Sequence, residues 1–211
     1  MSGNKAEIAS FTPASLVQDC WNDPQVVEEW HTRPMKEEII DSIKSVISLE
    51  AKGLSENAQI LDLACGANPF PYSPSDRQNI FMLDISPGML KLNRSPIKVI
   101  ADARRLLPFS NNTFEMVTCI FGMKYFENQE EVAADMLRIL KPSGKAILID
   151  VTRKKYKNGS LRLFMNRKLI ERFIGENKNI SVKSRILIRP FFGYPRLDLI
   201  TITKTGSNVI H

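Results

Sequence analysis

Histidine and cysteine are scarce in this chain: His31 and His211 are the two histidines, and Cys20, Cys65 and Cys119 the three cysteines, among 211 residues. The cysteines lie far apart with no C-x-x-C spacing, which argues against a disulfide scaffold and a structural zinc site. Two histidines leave too few parts for a histidine-rich metal centre and strain any Ser-His-Asp triad. No apolar run approaches the ~20 residues of a membrane-spanning helix. Met1–Ser10 lacks a basic start followed by an apolar stretch, so no signal peptide is expected, and a reduced, cytoplasmic protein is the expectation. Low-complexity tracts and internal repeats are absent. With 43% hydrophobic and 25% charged residues the chain falls among ordinary globular proteins, which excludes disorder, collagen and coiled coil. Its length suits one compact domain that buries roughly 70% of its unfolded surface.

Charge is abundant but uneven. Val151–His211 holds 14 Lys and Arg against 3 Asp and Glu, a local charge of +11 within a net +6. Such a face suits nucleic acid, a membrane surface or an anionic substrate, or is simply solvated.

Apolar periodicity divides the chain. Asp23 or Pro24 opens a helical stretch that Pro34 closes, since proline pushes its predecessor out of the helical region. Ile39, Ile40, Ile43, Val46 and Ile47 follow at helical spacing, with Gly53 placed to end the helix. From about residue 59 short buried runs take over. Strands are predicted over 59–63, 80–84, 97–101, 114–121 and 145–151, and helices over 132–140 and 161–174. Alternating patterns at 180–188 and 197–203 predict a closing antiparallel pair. The expected fold is α/β: a Rossmann-like, doubly wound, seven-stranded, mostly parallel sheet with an antiparallel edge strand, helices on both faces and an N-terminal helical lid. Residues 1–54 read as the lid and 55–211 as the main unit of one compact domain.

In such sheets ligands bind beyond the carboxyl ends of the strands, at the switch in strand order. The residues there are Asp62, Asp84 and Asp102, then Phe121-Gly122, then Asp150. Carboxylates in these places accept hydrogen bonds from a ribose diol or an amine. After the first strand comes Ala64-Cys65-Gly66-Ala67-Asn68, small residues that let a ligand approach the backbone. It is neither a G-x-G-x-x-G fingerprint nor a P-loop.

At this point the chain resembles the class I S-adenosylmethionine-dependent methyltransferases. Ile60-Leu61-Asp62-Leu63-Ala64-Cys65-Gly66 is similar to their first motif, Leu83-Asp84-Ile85-Ser86-Pro87-Gly88-Met89-Leu90 to the second and Asp102-Ala103 to the third. Leu107-Pro108-Phe109 with Phe114-Glu115-Met116-Val117 resembles the approach to the fourth strand. Arg138-Ile139-Leu140-Lys141-Pro142-Ser143-Gly144 resembles the turn before the fifth. The likeness runs over about residues 55–151 and is nearest to quinone-biosynthesis and small-molecule enzymes.

The resemblance implies S-adenosyl-L-methionine as cofactor, with S-adenosyl-L-homocysteine as product. It implies a cofactor site of Asp62, Ala64, Cys65, Gly66, Asp84, Ile85, Asp102, Ala103 and Phe121. Asp84 would hold the ribose hydroxyls, and Asp102 with Ala103 would lie against adenine. Tyr125 and His31 are the catalytic candidates, Tyr125 because it follows the fourth strand and His31 because its side chain titrates near neutrality in a region that covers the site. The bland alternatives are packing for Tyr125 and a surface or capping place for His31. Trp21 and Trp30 suit either an apolar lid or helix packing. Pro69, Pro71 and Pro74 cannot continue a helix interior, so the helix after the first strand is expected to be shortened or replaced by a loop, with Phe70 and Tyr72 either lining the pocket or packing on the sheet.

Three functions follow. The first is methyl transfer to a small-molecule acceptor, the second methyl transfer to RNA through the basic C-terminal third, and the third cofactor binding without transfer, as a scaffold or regulatory subunit. A small-molecule substrate is preferred to nucleic acid as partner. No metal site, membrane span or particular oligomeric state is implied.

Overall fold

The computed structural model describes residues 21–32, 35–67, 79–93, 95–151, 165–175, 179–189 and 196–205, without the side chains of Trp30, His31 and Phe173. The proline-rich segment with Phe70 and Tyr72, and the stretch 152–164, lie outside the described residues.

Seven strands form one sheet: β1 Ile60–Leu63, β2 Ile80–Asp84, β3 Ile97–Ile100, β4 Phe114–Ile120, β5 Leu140–Val151, β6 Ile180–Ile188 and β7 Leu197–Lys204. Their spatial order is β3-β2-β1-β4-β5-β7-β6. Pairings from β3 through β5 are parallel. β7 is antiparallel to both β5 and β6. The antiparallel strand therefore stands one place in from the edge, and β6 closes the sheet. Strand order reverses between β1 and β4, which places the switch point directly beyond Leu63 and Ile120.

Period-2 alternation splits the buried side chains between two layers. On one face Leu61, Val117, Leu148 and Ile200 pack with α4 (Gln129–Ile139) and α5 (Arg167–Gly175). On the other, Ile60, Met116, Ile147 and Leu199 pack with α2 (Glu37–Glu50), whose Ile39, Ile43, Val46 and Ile47 form its buried stripe. The central parallel strands are buried on both faces, hence their mostly apolar sequences, interrupted by Asp62 in β1 and by Glu115 and Thr118 in β4.

Two local features differ from the sequence expectation. β5 starts at Leu140 because the Lys141–Gly144 turn is held in the ladder as an irregularity opposite Phe114 and Met116, with Ser143 at φ 67°. A short helix α3 (Pro87–Leu92) was not anticipated. Ser86 caps it by accepting the Met89 N–H at 3.1 Å, and Pro87 occupies its first turn.

Arg138 explains the motif that contains it. It pairs with Asp135 and donates to the Phe109 and Leu107 carbonyls and to Asn111. Asp135 in turn accepts the Leu107 N–H. The Leu107–Asn111 turn is thereby tied to α4, and Phe109 meets Phe81 and Phe114 edge-on. Among the described residues no helix is long and apolar enough to cross a membrane, and no group of side chains has the makings of a metal site.

Candidate functional site

The loop after β1 is shaped by backbone that turns left-handed, at Ala64 (φ 54°) and Gly66 (φ 60°). Gly66 meets this demand without a Cβ, and the place a Cβ would take is open space. Asp84, at the end of β2, holds the loop in position. Its Oδ2 accepts the Gly66 N–H at 2.8 Å, and its Oδ1 accepts the Ser86 N–H at 2.9 Å. Asn93 donates from Nδ2 to the Gly66 carbonyl at 3.2 Å.

Asp62 lies beneath this loop, 2% exposed, and its Oδ1 accepts the Thr118 hydroxyl at 2.8 Å. Burial pushes its pKa up to about 7; the Thr118 hydrogen bond opposes the shift and the Asp84 charge adds to it. Burial raises Asp84 as well, against the pull of the Ser86 and Gly66 amides. The Cys65 and Cys119 thiols are raised chiefly by burial and then by neighbouring carboxylates, so both stay protonated and inert as nucleophiles.

Residues 21–32 lie over this region. Val27 of α1 (Pro24–Thr32) packs with Ala67 and Met89, and the Ser86 hydroxyl donates to the Trp21 carbonyl at 2.6 Å. Trp21 also meets the Tyr125 ring edge-on, with centroids 5.2 Å apart.

Beyond β4, Phe121 turns left-handed (φ 61°) and its N–H donates to Ile149. A Cβ on Gly122 would stand 2.7 Å from the Ala64 Cβ and 2.8 Å from the Cys119 Sγ, so glycine lets β4 and the β1 loop close on one another. The short 3₁₀ turn Met123–Tyr125 follows. Lys124 Nζ donates to the Phe121 carbonyl at 2.7 Å and to Asp150 Oδ1 at 3.2 Å, while its own N–H donates to Asp150 Oδ2 at 2.9 Å.

The sequence-derived candidates thus divide. Asp62, Ala64, Cys65, Gly66, Asp84 and Ile85 come together at the switch point, with Phe121 at the end of the adjoining strand. Asp102 and Ala103 follow β3, which is separated from β1 by β2. Ala103 is buried. Asp102 is bound by Arg104 through Nε at 2.8 Å and Nη2 at 2.9 Å; burial works against its charge, but Arg104 outweighs this and lowers its pKa. Among the described residues Oδ2 accepts only from Arg104, which leaves it a lone pair suited to an amine. Tyr125 lies beside Trp21. His31 belongs to α1, but its side chain lies outside the described residues. Reading the sequence missed Thr118, Ser86 and Asn93; the Ser-Pro pair at 86–87 was a usable helix-start signal, whereas nothing local links Thr118 to Asp62.

A separate cleft of about 490 Å³ lies at the other end of the sheet, where Leu137, Arg138, Ile174, Asn179 and Lys204 contribute to its walls. Lys204 Nζ already donates to Asn112 Oδ1 and to the Leu137 and Leu140 carbonyls, and Arg138 is engaged as described above.

Residues 61–148 match a family described as "Methyltransferase domain". A demethylmenaquinone methyltransferase of Renibacterium salmoninarum is 30% identical over 147 residues, covering 67% of this chain and 57% of the relative. A ubiquinone/menaquinone biosynthesis C-methyltransferase, UbiE, of Shewanella piezotolerans is 28% identical over 123 residues, covering 52% and 49%. The chain spans about half the length of the curated relatives it matches. Magnesium protoporphyrin IX methyltransferase from Synechocystis, solved with bound S-adenosylmethionine, has the same fold, with a TM-score of 0.64 at 14% identity over 92% of this chain and 100% of that one.

Proposed function

Since the chain, through residues 61–148, belongs to the class I S-adenosylmethionine-dependent methyltransferase family, we propose that it moves a methyl group from S-adenosylmethionine to a small-molecule acceptor. The observation that carries this reading is the pairing of a left-handed loop, open above Gly66, with a buried carboxylate at the end of the next strand. The residues fit the cofactor. Gly66 leaves room for a ligand against the backbone, and the Asp84 carboxylate, which accepts backbone amides from Gly66, Ser86 and Ile85, retains acceptor capacity for a ribose hydroxyl.

In this reading Ala64, Cys65 and Gly66 lie along the amino-acid part of the cofactor above Asp62. Asp84 and Ile85 hold the ribose, Asp102 and Ala103 border the adenine, and Phe121 lines the side toward the acceptor. The bound cofactor supplies an activated methyl on a sulfonium, and the protein's part is orientation and exclusion of water. Tyr125 contacts the acceptor, and His31 is a candidate base for an acceptor that keeps a proton. The N-terminal segment 1–54 acts as the lid of a domain comprising 55–211, supported by the contact of Val27 with Ala67 and Met89. The names of the relatives favour a quinol-like acceptor. A cytoplasmic location belongs to this reading and rests on Cys65 and Cys119, both free thiols.

Calorimetric titration with S-adenosylmethionine and S-adenosylhomocysteine tests the proposal, followed by transfer of labelled methyl to oxygen, nitrogen and carbon acceptors. One-site binding of both ligands with turnover is expected. Binding without turnover of any acceptor would turn the reading into that of a scaffold or regulatory subunit.

One observation favours a second reading, an RNA acceptor. Lys168, Arg172, Lys183, Arg185 and Arg189 are exposed on α5 and at the β6 edge, and no salt bridge engages them among the described residues. Binding to RNA that weakens steeply with salt would support it.

A further inference from the structure

The 3₁₀ turn beyond β4 holds an ammonium group with an unused donor. Lys124 Nζ has three N–H groups; one goes to the Phe121 carbonyl and one to Asp150, which leaves the third without a partner among the described residues. The Phe121 and Tyr125 rings flank the nitrogen, with centroids 5.0 Å and 4.8 Å away. The side chain is 12% exposed and that of Asp150 is not exposed at all. The side chain therefore keeps a small exposed fraction, at the carboxyl ends of β4 and β5, beside Tyr125 and the Trp21 ring that meets it.

We propose that Lys124 Nζ donates its third N–H to an ionised oxygen of the methyl acceptor, which makes the acceptor a phenol or enol rather than an amine. The inference rests on the methyltransferase reading above and assigns Lys124 as a catalytic residue within it. A neutral phenol is a poor nucleophile, with an ordinary pKa near 10. A cation within hydrogen-bond reach lowers that pKa by about 1–3. A fixed donor in a water-poor site stabilises developing charge without reorganising. The flanking rings suit a planar acceptor by edge or face contact.

The step balances. The acceptor gives its hydroxyl proton to solvent and takes the methyl carbon by an electron pair pushed from its oxyanion, with the carbon–sulfur pair left on sulfur. A product methylated at a ring carbon then loses its ring proton to solvent and recovers aromaticity.

The charged and titratable groups around Lys124 are Asp150 on β5, Tyr125 in the same turn and Cys119 on β4. Asp198 on β7 stands opposite Asp150 in register and is held by Arg196 and Arg167. Burial works against the ammonium, but Asp150 and Tyr125 outweigh it and hold Lys124 above its ordinary pKa. It is therefore a donor throughout the working range.

The test compares wild type with Lys124→Met. Because that change leaves Asp150 buried without its cation, Lys124→Met/Asp150→Asn, which removes both charges, is measured beside it. Affinity for S-adenosylhomocysteine is expected to stay at the wild-type level in both. Turnover of 1,4-dihydroxynaphthalene, kept reduced, is expected to fall about 100-fold, and the acidic limb of kcat/KM to move up by about 1 pH unit. A direct readout is 4-nitrocatechol on the complex with S-adenosylhomocysteine. Its phenolate band is expected to titrate about 1 pH unit lower on wild type than on either variant. A merely structural Lys124 would lower turnover without moving the limb or the band, and that result overturns the inference. So does methylation of histamine in preference to 1,4-dihydroxynaphthalene, or a wild type that binds cofactor and leaves phenols untouched. Failure of wild type to bind S-adenosylhomocysteine brings down the methyltransferase reading, and this inference with it.

Discussion

Asp84 and Gly66, 18 residues apart, are joined by a 2.8 Å hydrogen bond from the Gly66 N–H to the Asp84 Oδ2. That bond ties the end of β2 to the loop after β1 and makes the proposed ribose carboxylate a structural part of the proposed methionine loop. The two halves of the cofactor site therefore depend on one another, and a change in one is felt in both.

Asp84→Ala removes the acceptor for both the Gly66 and Ser86 amides. Hydrogen bonds to a charged group contribute about 1.5–3 kcal/mol each. The expected outcome is a loss of S-adenosylhomocysteine affinity of at least about tenfold together with a lower denaturant midpoint. Titration calorimetry and urea unfolding separate the two effects. Unchanged affinity would remove Asp84 from the site.

Asp62 makes stability depend on pH. Its folded pKa is about 7 against a reference value of 3.8, so between about pH 4 and pH 7 the native state holds a proton that the unfolded chain has released. Stability from this group is therefore lost as pH rises through that window and is level above it. Asp62→Asn keeps an acceptor for Thr118 and removes the titration. The stability advantage of Asp62→Asn over wild type should widen from pH 4 to 7 and then stay constant, as read by urea unfolding at each pH. A gap that stays flat over this range would show that Asp62 is already ionised in the native state.

The two glycines that frame the loop should fail differently. Gly122→Ala forces a Cβ to within 3 Å of Ala64 and Cys119, an overpacking cost of about 1–3 kcal/mol. Gly66→Ala meets no atom but must adopt φ 60°, which costs about 1–2 kcal/mol and fills the space proposed for the cofactor. Thermal unfolding should show Gly122→Ala to be the less stable, and calorimetry should show Gly66→Ala to be the weaker binder relative to its stability.

Arg138→Lys keeps the charge but loses the planar fork that reaches Asp135, Leu107, Phe109 and Asn111 together. A loss of about 1–3 kcal/mol is expected from the carbonyls left unmatched. Cofactor affinity should hold, because the contacts of Arg138 lie at the other end of the sheet. Hydrogen exchange of the Leu107–Asn111 amides should rise in the variant.

Much of the architecture was legible because it is written in local pattern. Short apolar runs ending in Asp62 and Asp84 mark buried parallel strands, and the alternation at 180–188 and 197–203 marks the closing pair. β5 was less so, because whether Lys141–Gly144 leaves the ladder depends on Phe114 and Met116, 25 or more residues earlier. α3 was missed because six residues carry little periodicity, although Ser86 and Pro87 announce its start.

By itself the sequence determined the order of the elements, the acids at the ends of the strands and the small-residue loop that only a backbone-hugging ligand would need, since each depends on residues adjacent in the chain. Tertiary structure alone decided which of those acids are bound to something else. Asp62 meets Thr118 across 56 residues, and Lys124 meets Asp150 across 26. Whether a carboxylate is dry, paired or open to a ligand depends on its distance to groups on neighbouring strands and on the water excluded around it, and neither is a property of local sequence.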